Sequence, residues 1–165
     1  MAIRQLTSFN DEKFRKKSRE IIKFDERLGQ LLDDMLDTLR YVQGYGCAAV
    51  HVGVLKRVVL IDGDNGDLME LVNPTITETS QETQQVFEGS ISTGSPWAYV
   101  NRPIFLSVSA FNRWGQPISV KADGFLAATL MHEIEHLDGI LFTDRATQIV
   151  TDVEEVRHIL SKINR

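Results

Sequence analysis

The sequence is poor in cysteine and in long apolar runs, and each shortage excludes a class of protein. Cys47 is the one cysteine among 165 residues, so no disulfide can form within the chain, which is compatible with a reducing cytosol. No apolar run approaches the roughly 18 residues that a membrane-spanning helix needs. The N-terminal stretch MAIRQLTSFNDEKFRKK is polar and has no apolar signal-peptide core. We therefore expect a cytoplasmic protein with no membrane partner.

The sequence also lacks a surplus of basic residues. Lysine and arginine number 18 against 23 aspartates and glutamates, which gives a net charge of -5. Dedicated nucleic-acid-binding proteins normally have the opposite balance, so no nucleic acid is expected as a partner. What is present is an ordinary globular mixture, 42% hydrophobic and 25% charged. A chain of this length is expected to bury its own core as a single domain over residues 1–165.

A first helix is predicted from Asp25, whose side chain can serve as the N-cap, to about Val42. Its apolar positions recur every three or four residues and so share one face. They are Leu28, Leu32, Met35, Leu39 and Val42. The charged stretch before it, residues 10–22, is expected to form a short surface helix or a loop.

Strands are predicted in the middle of the chain. Three short, β-branched segments indicate them: Lys56–Asp62, Met69–Ile76 with a break at Pro74, and Ile104–Phe111. The last segment is followed by a turn with Gly115 and then by the run ISVKAD, which is typical of a β-hairpin.

Two helices are predicted in the last third of the chain. Asp123 can cap a helix over Gly124–Leu137, and Gly139 stands where a C′ glycine would end it. A capping box from Thr151 to Glu154 opens the final helix. Strands in the middle and helices towards both ends predict an α+β fold.

The strongest chemical signal is the segment HEIEH at residues 132–136, inside the predicted second helix. His132 and His136 are four positions apart and share a helix face, so both imidazoles can bind one metal ion. Glu133 lies beside that face and can take a proton from water at the metal. The segment therefore predicts a hydrolytic metal centre.

Two histidines do not complete such a centre, because a hydrolytic site normally has three protein ligands and one open position. The third histidine of the metzincin pattern is missing, since Phe142 stands in its place. Glu154 and Glu155 are candidates for the downstream glutamate of thermolysin-like enzymes, but the capping box competes for Glu154. These residues leave the third ligand open.

Two further segments are rich in small and polar residues, GYGCAA at 44–49 and EGSIS at 88–92. Together with HEIEH they resemble, in order and interval, the three motifs of the peptide deformylase family, GxGxAAxQ, EGCxS and HExxH. The runs FDERLGQLLDDMLDTLR, LVNPTI and YVNRP are similar to other parts of that family. The resemblance covers about residues 24–145.

The resemblance implies a fold, a reaction and a cofactor. The fold is α+β, with mixed or antiparallel β-sheets around a central metal-binding HExxH helix. The reaction is removal of the N-formyl group from N-formylmethionyl peptides, so the expected partners are the formylated N-termini of nascent chains. The cofactor is one Fe(II) or Zn(II) per chain. Oligomeric state does not follow from the sequence, and a monomer is compatible with it.

The resemblance also implies residue roles. His132 and His136 are metal ligands, and Glu133 is the general base and acid. The backbone N–H of Ile91 holds the oxyanion, and Glu88 pairs with Arg102. The pocket for the methionine side chain is bordered by the first-motif residues Gly44, Tyr45 and Gly46.

The chain departs from the family at two of its functional positions. Ser90 stands where the family has the cysteine that is its third metal ligand, and a neutral hydroxyl binds Fe(II) or Zn(II) weakly. His51 stands where the family has glutamine. We expect the Ser90 side chain still to point toward His132 and His136. His51 has three possible roles: oxyanion donor, metal ligand or simple hydrogen-bonded residue. Cys47 is expected to be a buried packing residue.

Three functional hypotheses follow. The first is an active deformylase-type metallohydrolase, which the retained Glu133 favours. The second is a catalytically weak or silent paralogue that binds formylated or free peptide N-termini, which Ser90 favours. The third is an unrelated HExxH hydrolase, which the extent of the resemblance opposes.

Overall fold

The structure is a computed structural model that describes residues 2–63, 66–92 and 96–163. These residues form three α-helices: α1 (Glu26–Tyr41), α2 (Gly124–His136) and α3 (Val153–Ser161). They also form eight strands: β1 (Gly46–Ala48), β2 (Val58–Asp62), β3 (Leu68–Thr79), β4 (Thr83–Glu88), β5 (Trp97–Pro103), β6 (Phe105–Phe111), β7 (Pro117–Asp123) and β8 (Ala146–Val150). The predicted α+β class is confirmed.

The strands form two antiparallel sheets. One has five strands in the order β1-β2-β3-β6-β7, and the other has three in the order β4-β5-β8. The predicted β6–β7 hairpin is confirmed, with Gly115 at a φ of 82° in its turn. The predicted break at Pro74 is a register shift between Val72 and Thr75, and the strand continues to Thr79. Such an irregularity accommodates a proline, which cannot donate to the ladder.

Helix α1 begins as the sequence predicts. The Asp25 carboxylate accepts hydrogen bonds from the N–H groups of Arg27 and Leu28 at 3.1 and 3.2 Å. The helix ends at Tyr41, so Val42 is its C-cap and only half-buried. The apolar face packs in one cluster with Val58 and Leu60 of β2 and fixes the start of the 44–49 loop.

Helix α2 lies between the two sheets and contacts strands of both. Its apolar residues Ala127, Leu130 and Ile134 belong to the core of the five-stranded sheet. Asp123 is the N-cap residue, but its side chain makes no capping hydrogen bond. The helix ends at His136, one residue before the predicted end, and Leu137 is the C-cap. Gly139 therefore lies one position further beyond the helix end than predicted, at a φ of 73°.

The final helix starts one residue later than the capping-box prediction places it. Asp152, not Thr151, is the N-cap, and its carboxylate accepts from the N–H of Glu155 at 2.9 Å. Glu154 therefore does not have the predicted capping role. Val156 packs against Phe87 and Val150 of the three-stranded sheet. No helix among the described residues has both the length and the apolar character that a membrane span requires.

Candidate metal centre

The two histidines of the HEIEH segment are buried on α2 and face each other. His132 is 7% exposed and His136 is fully buried, and their Nε2 atoms are 3.3 Å apart. Two donors on a tetrahedral ion with bonds of about 2.05 Å are roughly 3.3 Å apart, so this spacing fits a shared metal ion. The residues present therefore suit a divalent metal.

A carboxylate orients the His132 ring from behind. Its Nδ1 lies 2.7 Å from Oε1 of Glu88 at the end of β4. An Nδ1–H donated to Glu88 leaves the Nε2 lone pair directed at the ion, which is the usual outer-shell arrangement of a metal-bound histidine. Burial tends to raise the pKa of Glu88, but hydrogen bonds from Arg102 and His132 outweigh it and lower that pKa to about 2.

Glu88 is also tied to the fully buried Arg102 of β5, which confirms the predicted ion pair. Arg102 donates from Nε and Nη2 to the two Glu88 oxygens at 2.7 and 2.8 Å. Its Nη1 donates to Glu135 of α2, which also accepts from Nε of Arg145 at 2.9 Å. Sequence reasoning missed this extension to Glu135 and Arg145, although both lie in the segment used for the resemblance. The network connects α2 to the three-stranded sheet.

Glu133 is a buried carboxylate whose charge is poorly compensated. Burial is the main reason that its pKa is raised, to about 7. Among the described residues its Oε2 has no hydrogen-bond partner, and it lies 3.8 Å from Nδ1 of His51, while Oε1 is 3.9 Å from Nε2 of His132. A carboxyl group with a pKa near neutrality, next to these histidines, suits a group that both takes and returns a proton.

His51 lies in the short 3-10 turn Ala49–Val52 and is fully buried. Its Nδ1 is 3.1 Å from both the N–H and the carbonyl oxygen of Ala48. Its ring centroid is 4.7 Å from that of His136, and the two rings are nearly perpendicular. Donor atoms of His51, Glu133 and His136 all lie within 4.8 Å of one another. Burial, followed by the charge of His132, lowers the pKa of His51 to about 3, so the ring is neutral at physiological pH.

The Ser90 hydroxyl is bonded to this same histidine. Its oxygen lies 3.3 Å from Nε2 of His51 and accepts from the N–H of Ser92 at 3.2 Å. The sequence prediction has Ser90 pointing toward His132 and His136, whereas the contacts of its hydroxyl are with His51 and Ser92. The two residues that depart from the family pattern thus touch each other.

A cavity of about 530 Å³ opens beside these groups. Its lining includes Gly44, Tyr45, Gly46, Ser90, Ile91, Trp97, Phe125, His132 and Glu133. A Cβ at Gly46 would lie 3.0 Å from Cγ of Glu133, so the glycine lets that carboxylate approach the first-motif strand. Tyr45 and Phe125 meet edge to face at 5.4 Å and form an aromatic wall. The predicted pocket residues are therefore brought together with Glu133.

Two aromatic residues pack against the histidines of the centre, and no sequence pattern pointed to either of them. Phe14 lies in the 3-10 turn Glu12–Arg15, is fully buried, and has its ring 5.3 Å from the rings of both His51 and His136. Phe142 stacks on His132 at 5.4 Å. The charged stretch 10–22 is thus mostly loop, as one of the two predictions has it, but it places one aromatic side chain against His51 and His136.

The remaining ligand candidates lie elsewhere or are chemically unsuited. Cys47 is fully buried among the apolar residues that face α1, and burial, then Glu133, holds the pKa of its thiol well above the usual value. The predicted packing role of Cys47 is confirmed. Glu154 is exposed and pairs with Arg157 on α3.

Comparisons with known proteins agree with this geometry. A family model described as polypeptide deformylase matches residues 3–152. The peptide deformylase of Caldicellulosiruptor bescii is 46% identical over 154 residues, which make up 93% of this chain and 92% of that one. The crystal structure of peptide deformylase from Thermotoga maritima matches with a TM-score of 0.86 at 30% identity, covering 90% of this chain and 100% of the other. Peptide deformylase from Ehrlichia chaffeensis in complex with actinonin matches with a TM-score of 0.85 at 30% identity, over 96% and 98% of the two chains. The chain belongs to the polypeptide deformylase family.

Proposed function

We propose that this protein is a metal-dependent hydrolase that removes the N-formyl group from N-formylmethionyl peptides. The observation that carries the proposal is the buried HEIEH arrangement: two Nε2 atoms 3.3 Å apart, with the Glu133 carboxylate beside them at the cavity. Family membership supports the reaction class. The expected substrates are the formylated N-termini of nascent chains, which the protein would encounter in the cytoplasm. The net charge of -5 gives no reason to propose nucleic acid as a further partner.

His132 and His136 would hold one Fe(II) or Zn(II) per chain, with the third protein position formed by Ser90 or its neighbour His51. When bound, the ion polarises a carbonyl oxygen and makes a water molecule more acidic. Glu133 would take a proton from a water molecule as the water oxygen attacks the formyl carbon, and would return that proton to the amine as the C–N bond breaks and formate leaves. The Ile91 N–H, at the rim of the cavity, is proposed to hold the developing oxyanion.

Specificity is proposed to come from the first-motif loop. Gly44, Tyr45 and Gly46 line the cavity next to Glu133, where a methionine side chain can be buried against apolar surface. We also propose that residues 1–165 form one domain, because α2 packs against both sheets. A monomer is the simplest assembly for it.

A silent paralogue that binds peptide N-termini is the second candidate. The observation that favours it is the contact between Ser90 and His51. These two residues stand where the family has a thiolate ligand and an amide side chain. Such a protein would keep the cavity and lose turnover.

The test is to purify the protein anaerobically, measure its metal content, and follow formate release from formyl-Met-Ala-Ser. Binding of formyl-Met-Ala-Ser and of Met-Ala-Ser is measured by calorimetry on the same sample. Catalytic formate release supports the first function. Stoichiometric peptide binding with no formate release above the metal-free control supports the second and contradicts the first.

A further inference from the structure

We infer that His51 is the third protein ligand of the metal ion, which makes the centre a set of three imidazoles, and that Ser90 positions His51. The inference rests on the proposed function to the extent that the site binds a divalent metal. It is otherwise independent of which reaction the site performs.

The chemistry of the donors favours imidazole over hydroxyl. A serine hydroxyl keeps its proton at neutral pH and remains a weak neutral donor to Fe(II) or Zn(II). A neutral imidazole is among the commonest ligands of both ions, and three histidines with one open position form a known type of catalytic site. His51 thus offers what the replaced thiolate supplied, a strong donor, and its ring centroid lies 4.7 Å from that of His136.

The surroundings of His51 resemble those of a metal-bound histidine. Its Nδ1 lies 3.1 Å from the Ala48 carbonyl oxygen, and an N–H donated there leaves the Nε2 lone pair free for an ion. His132 is oriented in the same way by Glu88, at 2.7 Å. Both rings therefore have an oxygen acceptor at Nδ1. The other nitrogen lies 3.3 Å from Nε2 of His136 in His132, and 3.3 Å from the Ser90 oxygen in His51.

The distances require only a small adjustment. Donor atoms of His51 and His136 lie within 4.8 Å of each other, whereas ligands of one tetrahedral ion are roughly 3.3 Å apart. A side-chain shift of at most about 1.5 Å closes that difference, and rotation about the side-chain bonds produces a shift of this size without a change in the backbone. Ser90 lies 3.3 Å from Nε2 of His51, so its hydroxyl can hold the ring in the metal-free protein and releases that nitrogen when the ion binds.

The contact between the two replaced positions explains why they occur together. With glutamine at position 51, a serine at position 90 would leave two histidines and no strong third ligand. With histidine at position 51, the thiolate is dispensable and the smaller hydroxyl accommodates the imidazole ring. The centre then contains no sulfur and has one negative charge fewer than a site with a thiolate.

The test counts the imidazoles and needs no substrate. Zinc is loaded into the metal-free protein, and X-ray absorption at the zinc edge determines the number of histidines and the presence of sulfur. Three imidazoles and no sulfur are expected in the wild-type protein. Two imidazoles, or the absence of stoichiometric zinc, would overturn the inference.

A matched pair of variants separates the roles of the two residues. His51→Gln is expected to weaken zinc binding more than about 100-fold and Ser90→Ala about 10-fold, since loss of a partner outside the ligand set typically costs 10- to 100-fold. Affinity is measured by competition with a chromophoric chelator, with circular dichroism as the folding control. The reverse order of the two effects would make Ser90 the ligand. Three imidazoles without formate release would support this inference while contradicting the proposed function.

Discussion

At the scale of single residues, hydrolysis is expected to depend most on Glu133. Glu133→Ala should lower formate release by roughly 100- to 10,000-fold, the usual contribution of a positioned acid–base group. Metal content should not change, because the carboxylate is not a proposed ligand. Formate release from formyl-Met-Ala-Ser and zinc content are measured on the same preparation. Full activity in this variant would rule out the proton-transfer role.

The buried charges around Arg102 predict a large stability effect. Glu88→Ala removes the partner that accepts two hydrogen bonds from Arg102 and orients His132. The variant leaves the Arg102 charge only partly compensated, by Glu135, so the free energy of unfolding should fall by up to about 3–5 kcal/mol in urea titrations.

Arg145→Ala is the matched control for that variant. The Arg145 side chain is 49% exposed and pairs with Glu135 at the edge of the same network. Its loss should lower the free energy of unfolding by about 1 kcal/mol or less. Equal effects of the two substitutions would show that burial does not set the strength of these contacts.

Ser90 and His51 are expected to behave as a coupled pair. Ser90→Cys alone should tighten zinc binding, because a soft anionic ligand replaces a neutral hydroxyl. With His51 still present, it creates four protein ligands and closes the position that water needs, so formate release should not rise. Adding His51→Gln restores the family's pair of residues and should raise formate release above that of Ser90→Cys. A double variant slower than Ser90→Cys would contradict this coupling.

At the scale of elements, the Asp34 carboxylate of α1 helps to fasten the N-terminal segment to that helix. Asp34 is 5% exposed and accepts hydrogen bonds from the N–H of Ala2 and from Nε of Arg4, both at 2.8 Å. Burial works to raise the pKa of Asp34, but the hydrogen bonds from Arg4, Gln30 and Ala2 outweigh it and lower the pKa below the usual value.

This lowered pKa predicts a pH-dependent stability. The contribution of Asp34 is complete above its unfolded pKa of about 3.9 and is lost as the pH falls through the lower folded value. Asp34→Asn should therefore cost about 1–3 kcal/mol of unfolding free energy at pH 6, and the difference from wild type should shrink below pH 4. Urea titrations at several pH values measure it. The neighbouring Asp33→Asn is the control, and a wild-type advantage that grows on acidification would contradict the prediction.

The elements differ in how far the sequence predicts them. Helix α1 and the β6–β7 hairpin were predictable because their signals are local: the Asp25 cap, a repeated apolar face and Gly115 in the turn. Strand β4 was missed because its residues TQQVFE are largely polar, and its pairing with β5 is decided by tertiary contacts. Strand β1 has three residues, too few for a periodic pattern, and the five residues of β8, ATQIV, do not alternate between apolar and polar.

The residues of the candidate site also divide into those with a local sequence signal and those placed by tertiary contacts. His132, Glu133 and His136 could be found because they share one turn of a helix. The contact of His51 with Ser90 joins residues 39 positions apart, and the ring of Phe14 reaches the centre from a charged stretch. Neither has a local pattern, because both depend on how α2 is packed between the sheets.

At the scale of the whole molecule, the metal is expected to stabilise the fold. An ion that binds only the folded state adds about 2.7 kcal/mol at a concentration of 100 times its Kd, which is roughly 5–10 °C in Tm for a chain of this size. Calorimetry with zinc and then with excess chelator measures the shift. His136→Ala should abolish the shift, whereas the exposed His158→Ala should keep it. A chelator-independent Tm in the wild-type protein would contradict the prediction.

Strand β8 is the last strand among the described residues, and it is hydrogen-bonded to β5, which holds Arg102 against Glu88. During synthesis the ribosome delivers residues in order, at about 5–20 per second. The strand that completes the smaller sheet therefore emerges after the first-motif loop, the second motif and both histidines of α2. Until it pairs, the edge of β5 is open and the support behind His132 is incomplete. We therefore expect a newly made copy to hold His132 in place only after β8 has emerged and paired with β5.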